Sequence, residues 1–192
     1  MRVILCSRNA HKARELQRLL PGWTIETLER DDYPPETGAT YYENAALKAR
    51  FAWEVTKGWP WVLAEDSGLE VSVLDNRPGV LSARYAPEGA PAIAKLLGEL
   101  EGETDRRARY VSELVLLDPD GHGPFRGTGL LDGRIALSPA GTEGFGYDPV
   151  FVPTGEERTV AELGDGWKAL NSHRARAVHA LLRAPGVRAT TS

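Results

Sequence analysis

The sequence predicts an α/β fold, because strand-like and helix-like stretches alternate along its 192 residues. An apolar run from Arg2 to Cys6 precedes a short turn, and Ala10 to Leu20 then carry apolar side chains at helical spacing. A second helix begins at Thr40-Tyr41-Tyr42-Glu43, whose spacing is that of a capping box. We expect a single domain over residues 1–192, since this length falls below the usual size of a two-domain protein.

The other elements follow from the same two periodicities. Alternating or continuous apolar residues mark strands, and apolar residues three and four apart mark helices. The predicted strands are Trp23 to Leu28, the apolar run before Glu65, Leu69 to Val73, Arg109 to Leu117 and Phe125 to Leu137. The further helices are predicted from Thr40 to about Lys57, from Ala90 to Leu100, and from an N-cap at Ser172 onward. Turn chemistry at Asp118-Pro119-Asp120-Gly121 predicts that the last two strands form a hairpin.

Composition argues against several classes of protein. The formal net charge of -4 disfavours a non-specific nucleic-acid binder, because such proteins neutralise many phosphates with a basic surface. The single cysteine, Cys6, cannot form an intramolecular disulfide, which favours a reducing compartment. No apolar run is long enough to span a bilayer or to form a signal-peptide core. The sequence therefore predicts a cytoplasmic protein without a membrane or nucleic-acid partner.

Two adjacent carboxylates, Glu65 and Asp66, follow an apolar run and precede Ser67-Gly68. Oxygen ligands at a strand end suit a hard divalent cation, so this stretch is a candidate magnesium or manganese site. Neighbouring side chains of a strand point to opposite faces, so both acids serve one site only if the chain bends at Ser67-Gly68. The alternative is an acidic loop after a buried strand. Zinc is disfavoured, because the four histidines and the one cysteine are scattered.

Two predicted helices begin with basic residues, where the positive end of the helix dipole disfavours cations. The conflict disappears if an anion such as phosphate binds the first-turn N–H groups. The alternative is a solvated basic turn beside acids from elsewhere in the fold. The residues concerned are Arg8, His11, Lys12 and Arg14 at the first helix, and Lys168, His173, Arg174 and Arg176 at the last.

Two further features are ambiguous when taken alone. Asn44 and Lys48 lie one turn apart on the shoulder of the second helix, where they can reach a cleft or form a polar flank. Gly141 to Pro149 combines permissive glycines with two aromatic residues and an acid, which suits either a purine platform or a tight loop with Phe145 in the core. Together with the carboxylates and the basic helix starts, these features suggest a nucleotide ligand.

The chain resembles the inosine triphosphate pyrophosphatase family, whose members hydrolyse non-canonical purine nucleoside triphosphates. The matching motifs occur in the family's order along nearly the whole chain. They are Ser7 to Lys12, Glu36 to Gly38, Glu43 to Ala45, Leu47 to Ala49, Glu65 to Leu69, Pro78-Gly79, Ser82 to Tyr85, Gly144 to Pro149 and Ser172 to Arg174. The resemblance implies a mixed α/β fold, with helices flanking the sheet and two lobes around a central cleft, and a homodimer.

The resemblance also implies a reaction and a set of site residues. dITP, ITP and XTP would be hydrolysed to the monophosphate and pyrophosphate with Mg²⁺, or with Mn²⁺. Asp66 would accept the proton of the attacking water and would hold the metal with Glu36 and Glu65. The implied substrate-binding residues are Ser7, Asn9, Lys12 and Lys48 at the triphosphate, Ser67 beside Asp66, and Phe145, Gly146, Tyr147, Asp148, Lys168, His173 and Arg174 around the base. Donors aimed at a 6-keto oxygen would be opposed by the 6-amino group of adenine.

The sequence departs from the family's pattern at two positions. The first motif is usually Thr-Gly-Asn, and here Arg8 stands where the permissive glycine is expected. Either this turn does not need a positive φ, or Arg8 adopts one at some cost. The acidic pair is usually Asp-Asp, and the extra methylene of Glu65 can change a metal distance. These departures leave an alternative function, a nucleotide-binding sensor that has lost catalysis.

Overall fold

The computed structural model describes residues 1–187, and they have the predicted α/β architecture, a mixed open sheet flanked by helices. None of the helices within these residues combines the length and the apolar character needed to cross a bilayer. The strands are β1 (Arg2–Cys6), β2 (Thr24–Thr27), β3 (Trp61–Val71), β4 (Arg77–Pro78), β5 (Arg107–Leu117), β6 (Phe125–Ile135) and β7 (Phe151–Pro153). The α-helices are α1 (Ala10–Leu19), α2 (Tyr41–Val55), α3 (Ala90–Glu99), α4 (Val160–Asn171) and α5 (His173–Leu182).

The strands lie in the sheet in the order β2, β1, β3, β5, β6, β7, and β4 pairs with β3. β1 is parallel to both of its neighbours, with Val3 opposite Ile25 of β2 and Trp61 of β3. β4 is antiparallel to β3, and β7 is antiparallel to β6. β5 and β6 are neighbours joined by a short turn, which agrees with the predicted hairpin. The combination of parallel and antiparallel pairs confirms the mixed sheet.

The chain divides into two compact units. The first unit consists of Met1–Asp66, Ser112–Gly129 and the chain from Arg174. The second consists of Ser67–Val111 and Leu130–His173. The single domain and the central cleft inferred from the sequence stay predictions.

Alternation along β3 distributes side chains of the first unit between two cores. Leu63 shares a core with Leu16 of α1 and Leu181 of α5. Ala64 belongs instead to a core with Ala45 of α2. Because successive strand residues point to opposite faces, odd-numbered side chains of this part of β3 point toward α1 and α5 and even-numbered ones toward α2. This parity decides where the two carboxylates point.

The second unit has its own core. Leu69 of β3 and Tyr110 of β5 pack with Leu96 of α3 and Phe151 of β7. Tyr147, from the Gly-rich segment, is also part of this core. The segment Gly141 to Pro149 is therefore anchored in the core through Tyr147.

β3 runs without a break from Trp61 to Val71, so the two strands predicted on either side of the acids are one strand and the chain does not bend at Ser67-Gly68. Apolar residues on both sides of the acids enter cores in extended conformation. They are Val62, Leu63 and Ala64 before the acids, and Leu69 and Val71 after them. Their burial outweighs the turn preference of Ser-Gly. The two acids therefore lie inside a strand rather than at its end.

Helix α4 and the strands β4 and β7 have no counterpart among the predicted elements. The signal for α4 is a capping box, in which Thr159 Oγ1 accepts from Glu162 N at 3.2 Å and Glu162 Oε2 accepts from Thr159 N at 2.8 Å. The predicted last helix is confirmed as α5, and Ser172 lies at the junction as the C-cap of α4. The capping box at Thr40 is also confirmed, with both reciprocal hydrogen bonds present.

Candidate active site

Asp66 is 5% exposed and points toward α2, as the parity of β3 requires. Its Oδ2 accepts a hydrogen bond from Asn44 Nδ2 at 3.0 Å, and its Oδ1 lies 3.4 Å from Lys48 Nζ. Asn44 and Lys48 are one turn apart on α2, so they reach the same carboxylate. Lys48 Nζ also donates to Glu36 Oε1 at 2.6 Å. We call Glu36, Asn44, Lys48 and Asp66 the Asp66 cluster.

Burial and ion pairing together set the pKa values of Asp66 and Lys48. It raises the pKa of Asp66, against the opposing influence of Lys48 and Lys12. Burial by itself lowers the pKa of Lys48, but Asp66 and Glu36 outweigh it, so the pKa of Lys48 is raised and its ammonium stays charged. A carboxylate whose pKa is raised is a stronger base than one in water, which suits proton acceptance near neutral pH.

The oxygens of Glu36 and Asp66 fit a divalent cation. Both carboxylates contact the same ammonium, so they lie close together in the first unit. Mg²⁺ is commonly bound by one or two protein carboxylates and completed by water and substrate phosphates, and this donor set matches that pattern. Within residues 1–187, a tighter group of three ligand side chains occurs elsewhere, in the β5–β6 turn, at Asp118, Asp120 and His122. There Asp118 already accepts two hydrogen bonds from His122.

Glu65 points to the opposite face of β3 from Asp66. Its Oε1 accepts from Arg174 Nε at 3.0 Å and from Ser112 Oγ at 3.0 Å. Its Oε2 lies 3.1 Å from Lys12 Nζ. Both Glu65 and Arg174 are 1% exposed. With Glu15, which also pairs with Arg174, these residues form what we call the Glu65 network: Lys12, Glu15, Glu65, Ser112 and Arg174.

The Glu65 network accounts for one basic residue at the start of each of α1 and α5. Lys12 in the first turn of α1 and Arg174 in the first turn of α5 both meet Glu65, an acid from a distant part of the chain. Burial lowers the pKa of Arg174, but Glu65 and Glu15 outweigh it, and the pKa is raised. Acids from elsewhere in the fold therefore relieve the conflict with the helix dipole, which removes part of the case for a bound anion.

The start of α1 is capped from within the chain. Asn9 is the N-cap, and its Oδ1 accepts from His11 N at 2.9 Å and from Lys12 N at 3.2 Å. Asn9 N in turn donates to Ser7 Oγ at 3.2 Å. Two first-turn N–H groups are thus satisfied by the cap, and the predicted triphosphate role of Ser7 and Asn9 stays a prediction.

Arg8 occupies the glycine position of the first motif without backbone strain. The non-glycine residues with positive φ among residues 1–187 are Lys57, Asp75 and Asn76. Arg8 Nη2 donates to Asp31 O at 2.6 Å, and its guanidinium carbon lies 4.6 Å from the centre of the Tyr33 ring. The turn does not need a positive φ, and the side chain ties the first motif to the loop that leads to Glu36.

A second group of predicted site residues meets in the second unit around Asp148, which is 4% exposed. Asp148 Oδ2 accepts from Lys168 Nζ at 2.7 Å and from Phe145 N at 2.9 Å, and Lys168 Nζ also lies 4.7 Å from the centre of the Phe145 ring. Asp148 Oδ1 accepts from Tyr110 OH at 3.3 Å. Gly144 has φ +80°, and a Cβ there would collide with the Asp148 carboxylate, so this position requires glycine. We call Tyr110, Phe145, Asp148, Lys168 and His173 the Asp148 cluster.

The remaining predicted residues of the second unit have different surroundings. The His173 ring stacks on Tyr110, with centroids 4.6 Å apart and planes 12° from parallel. Tyr147 is 6% exposed, and its hydroxyl donates to Ser82 O at 3.3 Å. Gly146 has φ +62°, and Ser67 is half-buried on β3. Of the two aromatic residues in the Gly-rich segment, Phe145 is half-buried, whereas Tyr147 is buried and anchors the segment in the core.

Two residues of the Asp66 and Asp148 clusters, Asn44 and Tyr110, are absent from the predicted site. Asn44 is ambiguous in sequence, because a helix shoulder can face either solvent or a cleft, and in the structure it is fully buried on Asp66. Tyr110 carries no signal beyond its place in a predicted strand. Its two partners, Asp148 and His173, follow it at long range, so only the fold brings them together.

Comparisons with known proteins extend over nearly the whole chain. A family model described as the Ham1 family matches residues 3–184. A dITP/XTP pyrophosphatase of Deinococcus deserti is 48% identical over 184 residues, covering 93% of this chain and 86% of that protein. A dITP/XTP pyrophosphatase of Thermus thermophilus is 44% identical over 195 residues, covering 96% of this chain and 91% of that protein.

Solved structures agree with the sequence relatives. The Ham1 protein of Staphylococcus aureus superposes with a TM-score of 0.80 at 35% identity, covering 93% of this chain and 95% of that chain. A nucleoside-triphosphatase, dITP/XTP pyrophosphatase, from Mycobacterium abscessus gives a TM-score of 0.75 at 41% identity, covering 95% of this chain and 100% of that chain. The resemblance inferred from the motifs is confirmed, and this chain belongs to the Ham1 family.

Proposed function

We propose that this protein hydrolyses non-canonical purine nucleoside triphosphates, namely dITP, XTP and ITP, to the monophosphate and pyrophosphate, and so removes them from the nucleotide pool. The observation that carries the proposal is the buried Asp66, held by Asn44 and Lys48 with its pKa raised. It occurs in a chain 48% identical to a relative named dITP/XTP pyrophosphatase.

Asp66 accepts the proton of the attacking water in this proposal. Asn44 fixes the orientation of its carboxylate through Oδ2, and burial makes it a stronger base. Glu36 and Asp66 would hold a divalent cation, Mg²⁺ or Mn²⁺, which would lower the pKa of bound water and offset the charge of the phosphates. Glu65, the third predicted ligand, lies on the other face of β3 and contacts Lys12 and Arg174, and its metal role stays a prediction.

Lys12 and Lys48 supply positive charge for the triphosphate, together with Ser7, Asn9 and Ser67. In the structure each lysine is paired with a carboxylate, Lys12 with Glu65 and Lys48 with Glu36. Phosphate oxygens would share these ammonium groups with the carboxylates. The pairs therefore hold both ammonium groups in place before substrate arrives.

The Asp148 cluster binds the base in this proposal, together with Gly146 and Tyr147 of the same segment. A 6-oxopurine presents a donor at N1–H and an acceptor at O6, whereas adenine presents an acceptor at N1 and a donor at its 6-amino group. Asp148 offers acceptor oxygens, and Lys168 offers donors within 2.7 Å of it. Adenine would oppose both, and mismatches of buried polar groups of this kind discriminate strongly. A contact of Arg174 with the base stays a prediction.

The test is release of pyrophosphate from dITP by the purified protein with MgCl₂, compared with dATP under the same conditions. We expect Asp66→Asn to abolish release, because the amide cannot accept the proton, and Asp75→Asn to behave like the wild type. Asp75 is a suitable control because it is exposed and has φ +53°, a conformation that asparagine tolerates. Absence of release by the folded wild type, or equal release from dATP, would contradict the proposal.

The same assay addresses the alternative of a sensor without catalysis. A sensor would bind inosine nucleotides and release no pyrophosphate, and Asp66→Asn would then change nothing measurable in the assay. The unstrained backbone at Arg8 weakens one of the two reasons for that alternative.

We also propose that the protein is a homodimer in the cytoplasm. An apolar groove of the first unit supports the dimer, and it is lined in part by Tyr42, Leu47, Val115, Leu117 and Pro124. Leu47 is 42% exposed there, although it is apolar. Light scattering coupled to size exclusion tests the state, and Leu47→Lys should yield a monomer if this groove is the contact.

A further inference from the structure

We propose that Tyr110 is a positioning residue for base recognition, which holds Asp148 and His173 in a fixed mutual geometry and so sets the preference for 6-oxopurines over adenine. The inference rests on the proposed function, since it assigns the base to the Asp148 cluster. Tyr110 itself is not required to touch the base.

Tyr110 is held firmly enough to position its neighbours. It is 6% exposed on β5, and its ring packs against Phe151 with centroids 4.5 Å apart. Its ring also carries the imidazole of His173 at 4.6 Å and nearly parallel. A ring fixed on a strand and supported by a buried phenylalanine has few alternative rotamers, so the stacked imidazole shares that restriction.

The hydroxyl of Tyr110 acts on the second partner. Asp148 receives donors from Lys168 Nζ and Phe145 N on Oδ2, and from Tyr110 OH on Oδ1. The Tyr110 hydroxyl therefore donates to Oδ1, whereas the other two donors bind Oδ2. Hydrogen bonds to both oxygens fix the rotation of the carboxylate plane. A carboxylate whose rotation is fixed presents its lone pairs in one direction, which is what reading a purine N1–H requires.

One side chain thus links a carboxylate and an imidazole that come from separate segments of the chain. Asp148 lies in the Gly-rich segment, whereas His173 opens α5. Without Tyr110 the Asp148 carboxylate and the His173 imidazole would each keep their other contacts, but their positions relative to each other would no longer be fixed by a shared neighbour. Loss of this fixed geometry should lower the discrimination between 6-oxopurines and adenine more than it lowers the stability of the fold.

The test separates the hydroxyl from the ring. Tyr110→Phe keeps the stack and removes the hydrogen bond to Asp148, and Tyr110→Leu removes both. We expect Tyr110→Phe to lower the dITP over dATP ratio of kcat/KM about fivefold, the value for one lost hydrogen bond of ordinary strength, mainly through a higher KM for dITP. Tyr110→Leu should lower the ratio further. The difference in the ratio between Tyr110→Phe and Tyr110→Leu then measures the contribution of the stack.

A matched control comes from the same unit. Tyr85→Phe also removes a buried tyrosine hydroxyl, and it should leave the ratio as in the wild type. Equilibrium binding of IMP and AMP to the same variants by calorimetry gives a second readout that does not depend on turnover. If the wild type prefers IMP but releases no pyrophosphate, the proposed hydrolysis fails while the role of Tyr110 is still measured.

Two results would overturn the inference. One is a purine preference unchanged in both Tyr110 variants, in turnover and in binding. The other is a loss of preference in Tyr110→Phe that is matched by an equal loss in Tyr85→Phe, which would indicate a general loosening of the second unit. A fall in the preference of Tyr110→Phe alone, at an unchanged melting temperature, supports it. If Tyr110→Leu does not fold, Tyr110→Phe decides the matter by itself.

Discussion

Glu65→Gln should destabilise the protein strongly, because it removes the carboxylate shared by the buried guanidinium of Arg174 and the partly buried ammonium of Lys12. The Glu65 side chain is fully buried and that of Arg174 is 2% exposed, while that of Lys12 is 15% exposed. Removing one partner of a buried ion pair typically costs about 3–5 kcal/mol. Arg174 keeps its pair with Glu15, so we expect a loss at the lower end of this range. For a chain of this size, the full range corresponds to a fall of roughly 6–20 °C in Tm.

The measurement is urea unfolding at pH 7, followed both by circular dichroism and by tryptophan fluorescence, so that separate transitions of the two units would be detected. Glu26→Gln is the matched control. It breaks the pair of Glu26 with Arg2, whose side chains are 42% and 56% exposed, and we expect no measurable change. A double variant with Arg174→Gln should lose less than the sum of the two single losses, because the two residues share one interaction.

A loss below about 1 kcal/mol for Glu65→Gln would refute this reasoning, since it would place Glu65 in the range of exposed ion pairs. The outcome also bears on the metal. If Glu65→Gln lowers stability in the absence of any divalent cation, its main role is the neutralisation of Lys12 and Arg174. If stability falls only when Mg²⁺ is present, Glu65 contributes to metal binding as the sequence predicted.

Three further predictions test other parts of the fold. Arg8→Ala should speed amide hydrogen exchange in residues 28–33, because it removes the bond to Asp31 O and the contact with Tyr33, and unchanged exchange would contradict the tie. Gly127→Ala should cost about 1–3 kcal/mol in thermal unfolding, because its Cβ would lie 2.7 Å from Leu181 Cβ, whereas Gly98→Ala in open space on α3 should be neutral or stabilising. Burial raises the pKa of the Cys6 thiol to about 12, so roughly one thiol in ten thousand is ionised at pH 8. Iodoacetamide should therefore alkylate Cys6 in urea and not in the folded protein, as detected by mass spectrometry. Equal alkylation under both conditions would refute the burial of Cys6.

Local chemistry made several elements predictable. Thr40 and Glu43 satisfy each other's backbone groups within one helical turn, so the start of α2 can be read from four residues. The same signal at Thr159 and Glu162 marks α4, and it was available in the sequence. The hairpin of β5 and β6 also follows from a short turn between two long apolar stretches.

The acid pair shows where local reading fails. Ser67-Gly68 favours a turn by residue type, yet the strand continues because apolar residues on both sides find cores to enter. The continuation places Glu65 and Asp66 on opposite faces. Two carboxylates that look equivalent in sequence thereby acquire different partners.

The sequence alone determined the family, the alternation of strands and helices, and the candidacy of Asp66, because motifs and periodicities are local properties of the chain. The tertiary structure decided that Asn44 is buried on Asp66, that Glu65 neutralises Lys12 and Arg174, and that Tyr110 joins Asp148 to His173. These contacts link residues far apart in the chain. They depend on which faces of the strands and helices are buried together. Long-range packing of the cores decides this, and the local sequence around each residue does not.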